Sequence, residues 1–262
     1  MSGIEEMTKI MDYGKVLSQK KLCSDIYSLW IETAICENAK CGQFVNVYTK
    51  NSSKLLPRPI SICEIDREKN ALRLVYRVTG ENTGTAEFSK LETGDEIKLL
   101  GPLGKGFPID SKSTLLIGGG IGIPPMLECA KEIEGEKIIV LGFRDGETFL
   151  VDELGKYDKV YIATEDGSIG TKGNVLDAIR EQGLVAKRIL ACGPTPMLRA
   201  LKKYAQEKNI ECFLSLEERM ACGIGACLAC TCKSKDVDGH TNVKNKRVCS
   251  EGPVFNALEV EL

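Results

Sequence analysis

Apolar residues alternate with polar ones in three short early runs, at 43–48, 61–65 and 71–78. Side chains repeating with period two lie on opposite faces of an extended chain, so each run predicts a half-buried strand. The stretch 66–70 between two of them is polar and turn-like, and Gly80, Gly84, Gly94, Gly101 and Gly104 interrupt the chain again at short intervals. Short strands and frequent turns predict a small antiparallel barrel or sandwich up to about Phe107, with few helices. From Ser113 the pattern changes to apolar runs at 114–117, 137–142, 159–163, 188–191 and 211–214, separated by helix-length stretches. That βα alternation predicts a parallel sheet. Residues 174–182 read as a helix closed by Gly183, and Thr195 is placed as an N-cap before Pro196 at the first helical position. After Leu216 the helical period gives way to cysteine and glycine, which predicts a third unit. The expected divisions are 1–107, 108–214 and 215–262.

Composition narrows the chemistry. Lys plus Arg is 35 and Asp plus Glu is 37 in 262 residues. A near-neutral chain lacks the electrostatic footprint of a nucleic-acid binder. The single histidine, His240, excludes histidine-rich zinc sites and permits a Ser-His-Asp triad only with that residue as base. The first ten residues carry two glutamates where a secretory leader would be basic and then apolar. The longest apolar run, 115–127, holds four glycines and two prolines and falls short of the ~18 residues that span a bilayer. A soluble cytoplasmic protein without membrane or nucleic-acid partners is expected. In a reducing compartment, twelve cysteines point to metal or redox work rather than disulfides.

Five of these cysteines lie in the tail. Four residues separate Cys222 from Cys227, two separate Cys227 from Cys230, and eighteen separate Cys230 from Cys249. This is the spacing of plant-type two-iron, two-sulfur ligands. Gly223, Gly225 and Ala226 let backbone curl close to a cluster. A zinc knuckle is the competing reading, and only Cys227 and Cys230 fit it. Cys232 breaks the spacing and reads as a bystander thiol, or as a substitute ligand. Cys23, Cys36, Cys41, Cys63, Cys129 and Cys212 stand in apolar contexts and read as small core residues. Lys233, Lys235, Lys244, Lys246 and Arg247 surround His240 as a solvated basic loop, with partner docking as the minority alternative.

Two glycine-rich turns follow strands. The first holds Gly118, Gly119, Gly120 and Gly122 and leads into a helix beginning near Pro124; the second runs from Cys192 through Gly193 and Pro194 to Met197. Backbone amides at such turns, beside a helix N-terminus, suit a pyrophosphate, although tight packing alone also explains one of them. Two on one parallel sheet suit a dinucleotide across the strand ends, with Cys192 near a nicotinamide. In the first unit Arg58 offers a fork for phosphate three residues before Ser61, and could equally cap a loop.

Residues 58–61, 118–122, 192–197 and the cysteine tail together resemble the ferredoxin–NAD(P) reductase superfamily over nearly the whole chain. Within it, residues 218–230 and 248–255 are similar to those of the electron transfer subunits of NAD-dependent, B-type dihydroorotate dehydrogenases. The resemblance implies a six-stranded FAD barrel, a parallel α/β domain receiving NAD, and a C-terminal domain holding a [2Fe-2S] cluster on Cys222, Cys227, Cys230 and Cys249. It implies FAD contacts at Arg58, Pro59, Ile60 and Ser61, at Val75, Tyr76 and Arg77, and at Gly84 and Thr85, with Ser61 near the flavin N5. Many reductases of the superfamily carry an aromatic residue where Pro59 stands, so another group covers that flavin face. Dihydroorotate would be oxidised on a separate FMN-containing catalytic subunit, in a heterotetramer serving pyrimidine (UMP) biosynthesis. Electrons would then pass through the cluster and FAD to NAD+. A related reductase subunit serving a ferredoxin, sulfite or hydrogenase module shares this layout, and a zinc-holding binding module is the non-enzymatic alternative.

Overall fold

The computed structural model describes residues 9–239 and 241–262; His240, and with it any triad base, lies outside the described residues, as do the first eight. The barrel strands are β1 (Ile10–Lys21), β2 (Ile26–Glu32), β3 (Phe44–Tyr48), β4 (Arg58–Asp66), β5 (Ala71–Arg77) and β6 (Glu96–Leu103). They close in the order β1-β2-β5-β4-β3-β6. Closure decides between barrel and sandwich: β1 pairs through Ile10–Lys15 with β6 and through Lys15–Lys21 with β2, which joins the two ends of the strand order into a ring. Val16, Leu29, Ile31, Val45, Val47, Ile62, Leu72, Leu74 and Leu99 fill the interior. Helix is sparse here, limited to a 3-10 turn at Ala34–Asn38 and to α1 (Gly84–Phe88), which Thr83 caps by accepting from the Ala86 N–H at 3.2 Å.

Beyond the barrel lie β7 (Thr114–Gly119), β8 (Lys137–Phe143), β9 (Val160–Thr164), β10 (Thr171–Lys172), β11 (Arg188–Cys192) and β12 (Glu211–Ser215). They form a parallel sheet in the order β10-β9-β8-β7-β11-β12. The accompanying helices are α2 (Pro125–Glu132), α3 (Val151–Leu154), α4 (Val175–Glu181) and α5 (Thr195–Lys208). Asn174 and Asp177 form a reciprocal capping box at α4. Thr195, by contrast, is not a cap. Pro194, its φ fixed at −60° and its ψ extended, already turns the chain, so Thr195 takes the first helical position and Pro196 the second.

The tail does not stand alone. After the hairpin of β13 (Thr231–Lys233) and β14 (Asn245–Arg247), β15 (Val254–Asn256) joins β12 antiparallel, with Leu214 opposite Phe255. Met220, Cys230, Val248 and Phe255 share one core with Ile117 and Ala191 of the sheet and with Phe44 and Leu103 of the barrel. No described helix is long and apolar enough to cross a membrane.

The barrel and sheet are clamped by charge as well as by apolar contact. The buried Glu128 on α2 accepts from the Ile65 N–H at 2.8 Å while Lys131 donates to the Ile65 carbonyl at 2.7 Å. Arg73 on β5, its side chain only 8% exposed, forks onto Glu153 of α3 and donates to Ser28 Oγ at 2.8 Å. The hydrogen bond from Arg73 holds the Glu153 carboxyl below its ordinary value of 4.5. A carboxylate so depressed contributes stability above its unfolded value and loses it as the pH falls through the folded one. Glu153→Gln should therefore lower the urea midpoint at pH 7 and flatten its decline below about pH 4.5, read by chemical denaturation across pH.

Candidate flavin, nucleotide and iron–sulfur sites

The start of β4 and the end of β5 open on a cavity of about 980 Å³. Arg58, Pro59, Ile60, Ser61, Val75, Tyr76, Arg77 and Thr85 all line it. Tyr76 does so without its ring, which is buried in the barrel and donates its hydroxyl hydrogen to Gln19 Oε1 at 2.8 Å; only its backbone is offered to a ligand. Gly84 lies behind Arg58, since a Cβ there would sit 3.0 Å from the guanidinium Nε. Further wall comes from Phe44, Leu55, Leu56, Ile121, Pro253 and residues 215–220, among others. Leu216, Met220 and Pro253 thus supply apolar surface in the same cavity as Pro59. Glu217 was invisible as a site residue in the sequence. It opens to the cavity yet is ringed by protein, which pushes its carboxyl upward, with Arg77 acting against that shift.

A second cavity of about 350 Å³ opens at the carboxyl ends of the parallel strands. Gly119, Gly120, Pro194 and Met197 line it, and Arg77 lines both cavities, marking where they meet. Gly118, Gly122 and Gly193 do not reach either space and act through packing. A Cβ on Gly122 would overlap the Cys192 carbonyl, and one on Gly193 would overlap Met197. Cys192 is also withdrawn. It lines neither cavity, and burial pushes its thiol up to about 12. Asp145, Glu147 and Glu165 face this second cavity, acidic residues that the spacing alone did not single out. Cys23, read as a core residue, is half-exposed and lines it too.

The tail gathers its four predicted thiols as two contacting pairs. The Cys227 N–H points to Cys222 Sγ at 3.4 Å and the Cys249 N–H to Cys230 Sγ at 3.5 Å. Burial opposes ionisation of Cys222, but the Cys227 and Ile224 amides outweigh it and bring the thiol down to about 7. Contact with Cys249 draws Cys230 down to about 6, and the same contact with burial drives Cys249 up. Gly223 and Gly225 adopt φ of +71° and +85°, as a loop with inward amides requires. Donor set and amides fit an iron–sulfur cluster, although no three of the described Cys, His, Asp and Glu groups converge as a single-ion site. Cys232 stands apart; burial raises its thiol to about 11, with Glu218 and Glu251 as its charged neighbours. The basic stretch is not simply solvated: Arg247 pairs with Glu251 at 3.0 Å and donates to the Gly225 carbonyl at 3.2 Å, and Lys246 pairs with Glu259 at 2.8 Å.

The thiol loop packs on the barrel. Phe44, Asn46 and Tyr48 occupy the outer face of β3, because Val45 and Val47 point inward. Phe44 lines the large cavity, Asn46 meets Gly223, and the charge of Cys222 reinforces burial in raising Tyr48.

An arginine-lined barrel cavity, glycine turns on a parallel sheet and a tetrathiol loop define a flavin- and iron–sulfur-dependent oxidoreductase component. Residues 14–107 match the family model for an oxidoreductase FAD-binding domain, and 217–261 match that for the iron-sulfur cluster binding domain of dihydroorotate dehydrogenase B. A Listeria monocytogenes protein named dihydroorotate dehydrogenase B (NAD(+)), electron transfer subunit, is 44% identical over 95% of this chain and 98% of its own. The like-named Geobacillus thermodenitrificans protein is 41% identical over the full length of both. The chain belongs to this family of electron transfer subunits. Among solved structures, an NADH-dependent reduced ferredoxin-NADP oxidoreductase chain superposes with a TM-score of 0.84 at 29% identity, covering 95% of this chain and 89% of that one. A carbazole 1,9a-dioxygenase ferredoxin reductase shares the fold, with a TM-score of 0.66 at 18% identity, over 79% of this chain and 68% of that one.

The packing role of Gly122 predicts that Gly122→Ala costs about 1–3 kcal/mol of stability and weakens NADH binding, measured by urea unfolding and by nucleotide titration.

Proposed function

We propose that this chain carries electrons from an FMN-containing dihydroorotate dehydrogenase catalytic subunit to NAD+ in the cytoplasm, within a heterotetramer that serves pyrimidine synthesis. One observation carries the reading: the cavity and the thiol loop share a wall. Met220 lines the cavity two residues before Cys222, and Phe44 lines it on the strand against which the loop packs.

In this reading residues 1–107 take FAD, 108–214 take NAD and 215–262 hold the cluster, with β15 completing the nucleotide sheet. Cys222, Cys227, Cys230 and Cys249 would hold the [2Fe-2S] cluster. Arg58 would bind the FAD pyrophosphate, Ser61 would hydrogen-bond the flavin edge, and the backbone of 75–77 with Thr85 would orient the ring system. When bound, the cluster supplies one-electron transfer and the flavin supplies the exchange between single electrons and hydride. Gly119, Gly120, Pro194 and Met197 would seat the NAD pyrophosphate, with Arg77 at the opening between the two spaces. Asp145 and Glu165 support NAD over its 2′-phosphorylated form, which would bring a further negative charge beside carboxylates. Ile224 and Leu228, 47% and 52% exposed on the thiol loop, support a docked partner there.

Cys227→Ala tests the relay. It should keep flavin and NADH oxidation by an artificial dye, lose the cluster's paramagnetic signal, and drop orotate-coupled NADH formation roughly a hundredfold or more when the catalytic subunit is added. Retained coupling would refute the relay.

A further inference from the structure

Asn46 is a buried polar residue without a use in the scheme above. It is 0% exposed, and among the described residues neither its Nδ2 nor its Oδ1 has a hydrogen-bond partner. Leaving a buried carboxamide unpaired costs about 1–3 kcal/mol, so such a group in a strand centre calls for a partner of its own. Its position says which. In register, Asn46 lies opposite Pro59 on β4 and Leu100 on β6, so its backbone belongs to the barrel wall. Its side chain points outward, and a Cβ built on Gly223 would overlap Nδ2. The amide donor is therefore aimed at the turn directly after Cys222.

A second orphan repeats the arrangement. Ser250 Oγ is buried without a partner beside Cys249, and a Cβ on Gly225 would sit 2.8 Å from it. The only unpartnered buried side-chain polar atoms among the described residues thus flank the two positive-φ glycines of the thiol loop. Both glycines are needed to bring the loop against these groups.

We propose that Asn46 and Ser250 are positioning residues that donate hydrogen bonds to the sulfurs of the bound cluster, and that they set its reduction potential rather than merely packing the loop. The inference rests on the cluster reading above and deepens it. Donors to sulfur stabilise the added negative charge of the reduced cluster, so they raise its potential. Because β3 also forms part of the cavity wall through Phe44, the barrel itself tunes the group that it faces.

The test is a potentiometric titration of reconstituted holoprotein, following the cluster by paramagnetic resonance and the flavin by absorbance in one sample. Asn46→Leu, nearly isosteric and without a donor, should shift the cluster midpoint downward. A tenfold change in the reduced-to-oxidised ratio at fixed potential corresponds to about 59 mV for one electron. Ser250→Ala should shift it the same way, the double variant further, and the flavin midpoint should stay within error. Asn46→Ser, which restores a donor, should recover part of the shift and reads the same quantity if the leucine variant does not fold. Cluster midpoints equal to wild type in all of these variants would overturn the proposal. So would an Asn46→Leu holoprotein more stable than wild type at unchanged potential, the signature of an orphan amide that never found a partner. A wild-type sample without any cluster signal would instead refute the tetrathiol reading.

Discussion

The contact between the thiol loop and the outer face of β3 governs the arrangement of everything else. A loop of backbone amides can lie this close to a barrel strand only where side chains are missing, and Gly223 and Gly225 supply that absence at left-handed turns. Any Cβ at 223 would strike the Asn46 carboxamide and push away the turn that follows Cys222. The thiols then lie one strand away from Pro59 and Ser61, the residues that line the large cavity.

That contact needs a tail held from two sides. On the barrel side, the Lys105 N–H donates to the Gly252 carbonyl at 2.5 Å. On the sheet side, the Leu216 N–H donates to the Pro253 carbonyl at 2.9 Å and β15 extends β12. Residues 215–220 leave the sheet, wall the cavity and enter the thiol loop, so one short segment spans all three units. Arg73 with Glu153, and Glu128 and Lys131 with the Ile65 backbone, keep barrel and sheet from sliding. Arg77, ion-paired with Asp25 at 3.0 Å, lines both cavities. Barrel, sheet and tail are thereby tied to one another at several separate points.

Much of this was legible in the chain because the determinants are local. Strand periodicity marks β3, β4, β5 and the parallel strands, and cysteine spacing marks the four thiols that the tail brings together as two contacting pairs. Glycines after β7 and β11 mark the turns at the carboxyl ends of these strands, where Gly119 and Gly120 face the second cavity and Gly122 serves packing. What stayed hidden depends on partners remote in sequence. Asn46 looks like an ordinary polar position in a strand until Gly223 is brought against it. Glu217 becomes unusual only when the cavity wall and Arg77 of β5 are brought beside it. Thr195 has the composition of a cap, but the preceding Pro194 takes the turn. Cys192 sits at a strand tip, as its motif indicates, yet the same close packing that draws Gly122 onto its carbonyl seals its thiol away from ligand.

If the shared wall couples the two redox sites, electrons must cross it in the isolated chain without any catalytic subunit. Anaerobic mixing of loaded protein with NADH, quenched by freezing at successive times, measures this directly through the paramagnetic signal of the reduced cluster. This signal should grow in step with, or just behind, flavin bleaching. Rapid flavin bleaching with a cluster that remains oxidised would contradict the coupling.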